Sequence, residues 1–172
     1  SLCKWFAKKI GFNDSSGGIA ASGGTLSNLN ALIAARYNSG LGSDPNSVLL
    51  VSEDAHSSFI KCTRIMGLDE ANLIRIKTDK TGSMDIQNLR ETIDKCFIDE
   101  KKIFAIVATL GTTVRGAIDP IKDISEICKE RNIWLHVDGS IGGIFALTSI
   151  PIKGLNNINQ ANSITINPQK II

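Results

Sequence analysis

The sequence lacks the features that mark several common classes of protein. Its 19 basic and 17 acidic residues leave a net charge of only +2, which gives no basic surface for nucleic acid or for a membrane. No apolar run is long enough to span a bilayer, and no signal-peptide pattern opens the chain. The four cysteines include no CxxC pair, which indicates reduced thiols in a cytoplasmic protein and argues against a bound metal.

Two nucleotide-binding fingerprints are also missing. The sequence contains neither GxxxxGK[ST] nor GxGxxG, so a dinucleotide-binding domain is only a weak alternative. The composition that remains is ordinary, with 42% hydrophobic and 21% charged residues in a chain of 172. A chain of this length and composition can form one globular domain with a sizeable core.

Short apolar segments alternate with helical ones along the chain. Strands are predicted at 47–51, 72–76, 102–109, 134–138 and 163–166. Helices are predicted at 2–10, where Trp5 and Phe6 would pack on the rest of the protein, from about 29 to 38, and through 60–66. Two more begin at the cap Asp85 and at Asp119-Pro120. This alternation predicts an α/β fold, with a mostly parallel sheet flanked by helices.

Two strands end in an acid and an amine. Asp138 closes the strand at 134–138, and Lys170 follows the strand at 163–166. Open α/β sheets bind ligands at the carboxyl ends of their strands. We therefore hypothesise that these two residues hold pyridoxal phosphate: Lys170 would form a Schiff base, and Asp138 would keep the pyridine nitrogen protonated.

Three further segments offer candidate ligand contacts, each with a purely structural alternative. Gly24 and Thr25 open a helix, where unpaired N–H groups favour a phosphate; otherwise they form a turn with Thr25 as the cap. His56 follows the first strand and either stacks on an aromatic cofactor or caps a turn. Thr112 follows the third strand, and its position alone favours capping the turn over contacting a ligand.

Five ordered blocks of sequence resemble one family. They are SGGTLSN at 22–28 with AAR at 34–36; AHSS at 55–58 with Lys61; ATLGTT at 108–113 with GAIDPI at 116–121; WLHVD at 134–138; and SIT at 163–165 with NPQK at 167–170. These blocks resemble the group II pyridoxal-phosphate-dependent amino-acid decarboxylases, which include the glutamate, aromatic-amino-acid, histidine and diaminobutyrate enzymes. The resemblance implies the large domain of a fold type I (aspartate aminotransferase-like) enzyme, a carboxy-lyase acting on an amino acid, and a homodimer in the full-length form.

The resemblance implies a role for each candidate residue. Gly24 and Thr25 would bind the phosphate, His56 would stack on the ring, and Thr112 would lie near the cofactor. Asp138 would pair with the pyridine nitrogen, and Lys170 would form the covalent link. His136, on the same strand as Asp138, is interpreted as a supporting core histidine.

Two segments depart from the family pattern. Asn167-Pro168-Gln169 stands where the family has Asp-Pro-His, which replaces an imidazole beside Lys170 with a side chain that cannot titrate. Gly139-Ser140-Ile141 replaces Ala-Ala and an aromatic residue. We expect both departures near the substrate, so the substrate stays open.

Other functions remain open as well. A different pyridoxal-phosphate enzyme, either a lyase or an aminotransferase, would share Asp138 and Lys170, and an inactive truncated paralogue is a further alternative. The chain begins at Ser1 and ends at Ile172. We expect residues 1–172 to be part of a cofactor-binding large domain, without an N-terminal segment and a C-terminal small domain, and to be inactive alone.

Overall fold

The computed structural model describes residues 1–152 and 154–170 and contains a five-stranded parallel sheet. The order across the sheet is β2-β1-β3-β4-β5. The strands are β1 (Ser47–Ser52), β2 (Leu73–Ile76), β3 (Lys102–Thr109), β4 (Trp134–Gly139) and β5 (Ser163–Ile166). The predicted α/β class is confirmed; the ends of the predicted domain, Ile171 and Ile172, lie outside the described residues.

Helices connect the strands and cover both faces of the sheet. They are α1 (Leu2–Lys9), α2 (Gly24–Asn38), α3 (Ser58–Ile65), α4 (Ile86–Ile98) and α5 (Ile121–Arg131). Short 3-10 helices lie at Glu70–Asn72, Gly142–Leu147, Leu155–Gln160 and Pro168–Lys170. Leu155–Gln160 lies in the Asn-rich segment between β4 and β5.

The core has two halves because successive strand residues point to opposite faces of the sheet. Leu49 and Val107 belong to the half under α2 and α3. Leu50, Ile106 and Val137 belong to the half under α4 and α5. All five side chains are at most 1% exposed, and burial of such a side chain stabilises a fold by about 1.5–3 kcal/mol.

One prediction about the packing of a helix is wrong, and one about the start of a helix is confirmed. Trp5 does not pack into the core: its side chain is 48% exposed, and its ring meets Phe6 edge-on at 5.2 Å. Helix α5 begins at Asp119-Pro120 as predicted, with Pro120 at the N-cap position. The buried Asp119 carboxylate accepts from the backbone N–H groups of Met84 and Thr109, each at 2.7 Å, so it ties a loop to the end of β3.

The strand order creates a crevice at the carboxyl edge. After β1 the chain places β2 on one side, and it then returns to place β3 on the other side. The loops that leave β1 and β3 therefore diverge, and such a switch point is where open α/β sheets bind ligands.

Candidate functional site

A cavity of about 180 Å³ opens at this edge. It brings together all six residues that the sequence analysis singled out as cofactor-binding or catalytic. Its lining comprises Gly24, Thr25, Asn28, His56, Ser58, Thr109, Gly111, Thr112, Thr113, Asp138, Ser140, Ile141 and Lys170.

The amino end of α2 forms one wall of the cavity. Gly24 is the first helical residue, and Gly23, the N-cap, has no side chain to accept from the N–H groups of the first turn. Such groups and the helix dipole favour an anion. Thr25 is exposed and lies within the helix, so the alternative in which it caps the helix is wrong.

Asp138 is the buried acid of the site, with a side chain only 6% exposed. Its Oδ1 accepts from the backbone N–H of Ser140 at 3.1 Å and from the Ser140 hydroxyl at 2.6 Å. Its Oδ2 accepts from the Asn28 side-chain amide at 3.0 Å. These donors stabilise a negative charge that burial alone would disfavour.

His136 lies two residues before Asp138 and is fully buried. Its Nδ1 lies 2.8 Å from the Ser163 hydroxyl, and its Nε2 lies 3.1 Å from Oδ1 of Asn28. Burial lowers the pKa of His136 to about 4, although the nearby Asp138 opposes the shift. The interpretation of His136 as a supporting core histidine is confirmed, and the ring is neutral at pH 7.

His56 and Thr112 both make local hydrogen bonds at the cavity. The His56 Nδ1 accepts from the backbone N–H of Ser58 at 3.1 Å, just where α3 begins. The Thr112 hydroxyl accepts from the backbone N–H of Ala117 at 3.0 Å. Both residues therefore cap turns, as the structural alternatives expected, while they also line the cavity. Their contacts with a cofactor stay predictions.

Lys170 lies at the rim of the cavity, in the short helix Pro168–Lys170, and is exposed. Gln169, which replaces the usual histidine, is also exposed. The other departure is buried: the Ser140 hydroxyl contacts Asp138. The Ser140 hydroxyl is bonded to the acid and lines the cavity, and its place near the substrate stays a prediction.

The sequence analysis assigned no role to Asn28 or to the Ser140 hydroxyl. Asn28 lies one turn after Gly24 on α2 and is 2% exposed. An amide on the buried face of a helix needs a partner, and this was the signal that could have identified it. Ser140 follows Asp138 by two residues, a spacing at which a hydroxyl often bonds a neighbouring polar group.

Three other properties of the described residues bear on function. Within residues 1–152 and 154–170, no cluster of three or more His, Cys, Asp or Glu side chains is arranged to hold a metal ion. In the same ranges no helix combines the length and the apolar character needed to cross a membrane. All four cysteines are described and free, and burial raises the pKa of Cys62 to about 11 and that of Cys128 to about 12.

The whole sequence, residues 1–172, matches the family described as the pyridoxal-dependent decarboxylase conserved domain. The chain belongs to this family. It is 32% identical over 166 residues to an aromatic-L-amino-acid decarboxylase of Bacillus atrophaeus, which covers 96% of this chain and 35% of the relative. It is 36% identical over 162 residues to the acidic amino acid decarboxylase GADL1 of Xenopus tropicalis. This match covers 90% of this chain and 32% of the relative.

Solved structures agree with this assignment. The apo structure of mouse CSAD superposes with a TM-score of 0.92 at 31% identity, over 98% of this chain and 37% of the CSAD chain. The fold is therefore that of the fold type I pyridoxal-phosphate decarboxylases, and the family resemblance seen in the sequence is confirmed. The chain spans about a third of the length of the relatives that it matches.

The cavity fits the cofactor of the pyridoxal-dependent decarboxylases. Pyridoxal phosphate carries an anionic phosphate, a ring nitrogen that can be protonated, and an aldehyde. The cavity lining offers a helix N-terminus led by Gly24, the buried acid Asp138, and the amine of Lys170. Each reactive group of the cofactor thus has a chemically matched residue.

Proposed function

We propose that the full-length protein containing this chain removes the α-carboxylate of an amino acid as carbon dioxide, with pyridoxal phosphate as cofactor. One observation carries the proposal: a single cavity collects a buried acid, a glycine-led helix N-terminus and a lysine. The family supplies the class of reaction. The names of the relatives include both aromatic and acidic amino acids, so the proposal extends to the amino-acid class only.

Asp138 would hold a proton on the ring nitrogen. When bound, pyridoxal phosphate withdraws the electron pair that a departing carboxylate leaves on the α-carbon, and a protonated ring does so best. A carboxylate beside the nitrogen favours the charged ring, because opposite charges attract strongly away from water. The hydrogen bonds from Ser140 and Asn28 support this role, since they hold the carboxylate in one orientation.

Four residues would bind and orient the cofactor around that acid. The first N–H groups of α2, at Gly24 and Thr25, would hold the phosphate. His56 would stack on the ring, and Thr112 would lie beside it. Their capping bonds support this assignment, because a side chain that is already anchored loses little further freedom when a ligand binds.

Lys170 would anchor the cofactor through its side-chain amine. The amine must be neutral to attack an aldehyde carbon, and enclosure by the rest of a complete site would favour the neutral form. Its position at the open rim supports this role, since an exposed side chain can swing toward the cofactor and away from it.

The full-length protein is further proposed to be a cytoplasmic homodimer. Support comes from α2, whose outer face leaves Ile33 47% and Tyr37 81% exposed; exposed apolar side chains in a row commonly mark an interface. Sedimentation of the full-length protein tests the dimer, and a monomer at micromolar concentration would contradict it.

Reductive trapping tests the cofactor and its anchor. The full-length protein is mixed with pyridoxal phosphate, reduced with borohydride, digested and analysed by mass spectrometry. We expect one pyridoxyl adduct, on Lys170, that disappears in Lys170→Ala and persists in Lys122→Ala, which changes an exposed lysine of α5. Labelling spread over many lysines would contradict the proposal.

Product analysis then tests the reaction. Carbon dioxide and an amine, released in equal amounts from a panel of amino acids, would support the decarboxylase. A keto acid or a carbon–carbon cleavage product would instead indicate an aminotransferase or another lyase.

A further inference from the structure

A line of hydrogen bonds leads through the α2 side of the sheet and is buried where it ends at Asp138. Trp134, His136 and Asp138 alternate along β4 and therefore share a face. The Trp134 Nε1 donates to the Ser163 hydroxyl at 2.8 Å, and this hydroxyl lies 2.8 Å from Nδ1 of His136. The line then passes through His136 Nε2 and the Asn28 amide to Oδ2 of Asp138.

The two ends of this line determine the direction of every bond within it. An ionised carboxylate can only accept, so Asn28 must present its NH₂ group to Asp138 and its oxygen to His136. A neutral imidazole must then carry its hydrogen on Nε2 and accept at Nδ1. Ser163 therefore donates to His136, which leaves its oxygen to accept from the Trp134 indole, a group that can only donate. All of the donors point toward Asp138.

Counting acceptor sites shows where a ring nitrogen can approach Asp138. A carboxylate oxygen has two lone pairs. Both lone pairs of Oδ1 are taken by the backbone N–H and the hydroxyl of Ser140. On Oδ2 the described residues place one donor, Asn28, and one lone pair remains. A protonated pyridine nitrogen would thus share Oδ2 with Asn28.

We propose that Asn28 is a positioning residue for the ring nitrogen of the cofactor, and that His136, as its neutral Nε2–H tautomer, holds the Asn28 amide in the required orientation. This inference rests on the proposed function. Donation from Asn28 makes the carboxylate a weaker base, so the shared proton stays on the ring. In the opposite orientation the Asn28 amide would direct its oxygen at the Asp138 carboxylate. The two oxygens would repel each other, and this repulsion would displace the carboxylate.

The structure also explains why a histidine suits this position. Its Nδ1 can accept from Ser163 while its Nε2 donates to Asn28. An aliphatic side chain can make neither bond. Chains of aligned donors strengthen one another in a low-dielectric interior. The indole of Trp134 begins the alignment at the first residue of β4, and it is not part of the cavity lining.

The experiment uses the full-length holoenzyme, loaded with pyridoxal phosphate that carries ¹⁵N in its ring. The ¹⁵N chemical shift reports whether the ring nitrogen is protonated, and it does not depend on turnover. We expect a protonated ring in the wild type. In Asn28→Leu we expect a shift toward the unprotonated position and cofactor binding weakened about tenfold, since one hydrogen bond to a charged group is lost.

Two variants of His136 and one control separate positioning from packing. His136→Leu should reproduce the ¹⁵N shift of Asn28→Leu, whereas His136→Gln, which can still donate to Asn28, should recover much of the wild-type value. Thr165→Val is the control: it removes a partly buried hydrogen bond from Thr165 of β5 to Ser27 of α2 at 3.1 Å, and neither residue belongs to the line that ends at Asp138. It should lower the unfolding temperature and leave the ¹⁵N shift unchanged.

The tautomer of His136 provides a second test that needs no variant and no cofactor. Two-bond ¹H–¹⁵N spectra of the wild type should show the hydrogen on Nε2. An Nδ1–H tautomer would overturn the inference, and so would a wild-type ¹⁵N shift in Asn28→Leu holoenzyme. Failure of the wild type to take up pyridoxal phosphate is a different result: it would remove the proposed function itself, and with it this role of Asn28.

Discussion

The Ser140 hydroxyl donates to Oδ1 of Asp138 at 2.6 Å, and it also lies where a side chain on Gly24 would go. A Cβ added at Gly24 would come within 2.7 Å of this hydroxyl oxygen, closer than the two atoms can pack. The glycine at the start of α2 and the serine after β4 are therefore matched to each other. Their match couples the proposed phosphate end of the cavity to the proposed ring-nitrogen end.

A double-mutant cycle measures this coupling. Gly24→Ala should weaken pyridoxal phosphate binding about tenfold, because the Ser140 hydroxyl must leave Asp138 and a hydrogen bond to a charged group is lost. In a Ser140→Ala background the same change should cost much less, since the nearest remaining atom, the Cβ of residue 140, would be 3.5 Å away. The measurement is the dissociation constant of pyridoxal phosphate for the wild type, the two single variants and the double variant. Strictly additive changes in binding free energy would contradict the coupling.

Asp138→Asn should separate cofactor binding from turnover in the full-length enzyme. The amide is similar in shape, so part of the cofactor affinity should remain. It cannot balance a positive ring, and we expect turnover to fall at least about a hundredfold, as when other electrostatic contacts of a transition state are removed. Steady-state kinetics at saturating cofactor provide the measurement. Near-normal turnover would exclude the proposed role of Asp138.

Neutral His136 should make the protein less stable in mild acid. Its pKa falls from 6.5 to about 4 on folding, so between these values the unfolded chain binds the proton more readily. Stability should therefore decline as the pH falls from 6.5 to 4, by at most about 3 kcal/mol. Urea unfolding across this range, compared with His136→Gln, isolates the effect, because the variant lacks this titration. Parallel curves would contradict the prediction.

Asp119 should make the folded protein more stable in mild acid, the opposite of the effect expected for His136. Burial raises its pKa from 3.8 to about 6 despite the two backbone N–H groups that favour the ionised form. The folded protein then binds the proton more readily, so stability should decline as the pH rises from 4 to 6, by at most about 3 kcal/mol.

The matched variant for this second effect is Asp119→Asn. It should be less stable than the wild type at every pH, since its NH₂ group cannot accept from Met84 or Thr109. The difference in unfolding free energy between the two proteins should shrink as the pH rises from 4 to 6. A difference that stays constant, or grows, would show that the backbone donors outweigh burial.

The strands were the most predictable part of the fold. The limits of β3 and β5 were predicted to the residue, and those of β1, β2 and β4 to within one residue. Buried parallel strands are continuous apolar runs that end sharply in polar residues. Trp5 shows the limit of this reasoning: spacing on α1 identifies an apolar face, but it does not say whether anything in the described structure covers that face.

The candidate site was predictable in its members and less so in their contacts. His56, Asp138 and Lys170 could be grouped because strand ends share one edge of a sheet, and Gly24 could be added because a glycine-led helix N-terminus suits a phosphate. The hydrogen bond from Asn28 to Asp138 joins residues 110 positions apart. No local sequence pattern indicates which partner the side-chain amide of Asn28 contacts. The bonds of the Asp119 carboxylate were hidden for a similar reason, because its backbone N–H donors lie on β3 and on the loop between β2 and α4.

The early position of α2 in the chain has a consequence for the order of folding. The helix precedes every strand, yet two of its polar side chains, the partly buried Ser27 and the buried Asn28, bond to Thr165, His136 and Asp138. While only β1, β2 and β3 are assembled, these groups have no partners and favour water. Docking of β4 and β5 then closes a very long loop, an entropically costly step. A ligand that bound the finished edge would draw late intermediates toward the native state, so cofactor supply during refolding should raise the yield of folded enzyme.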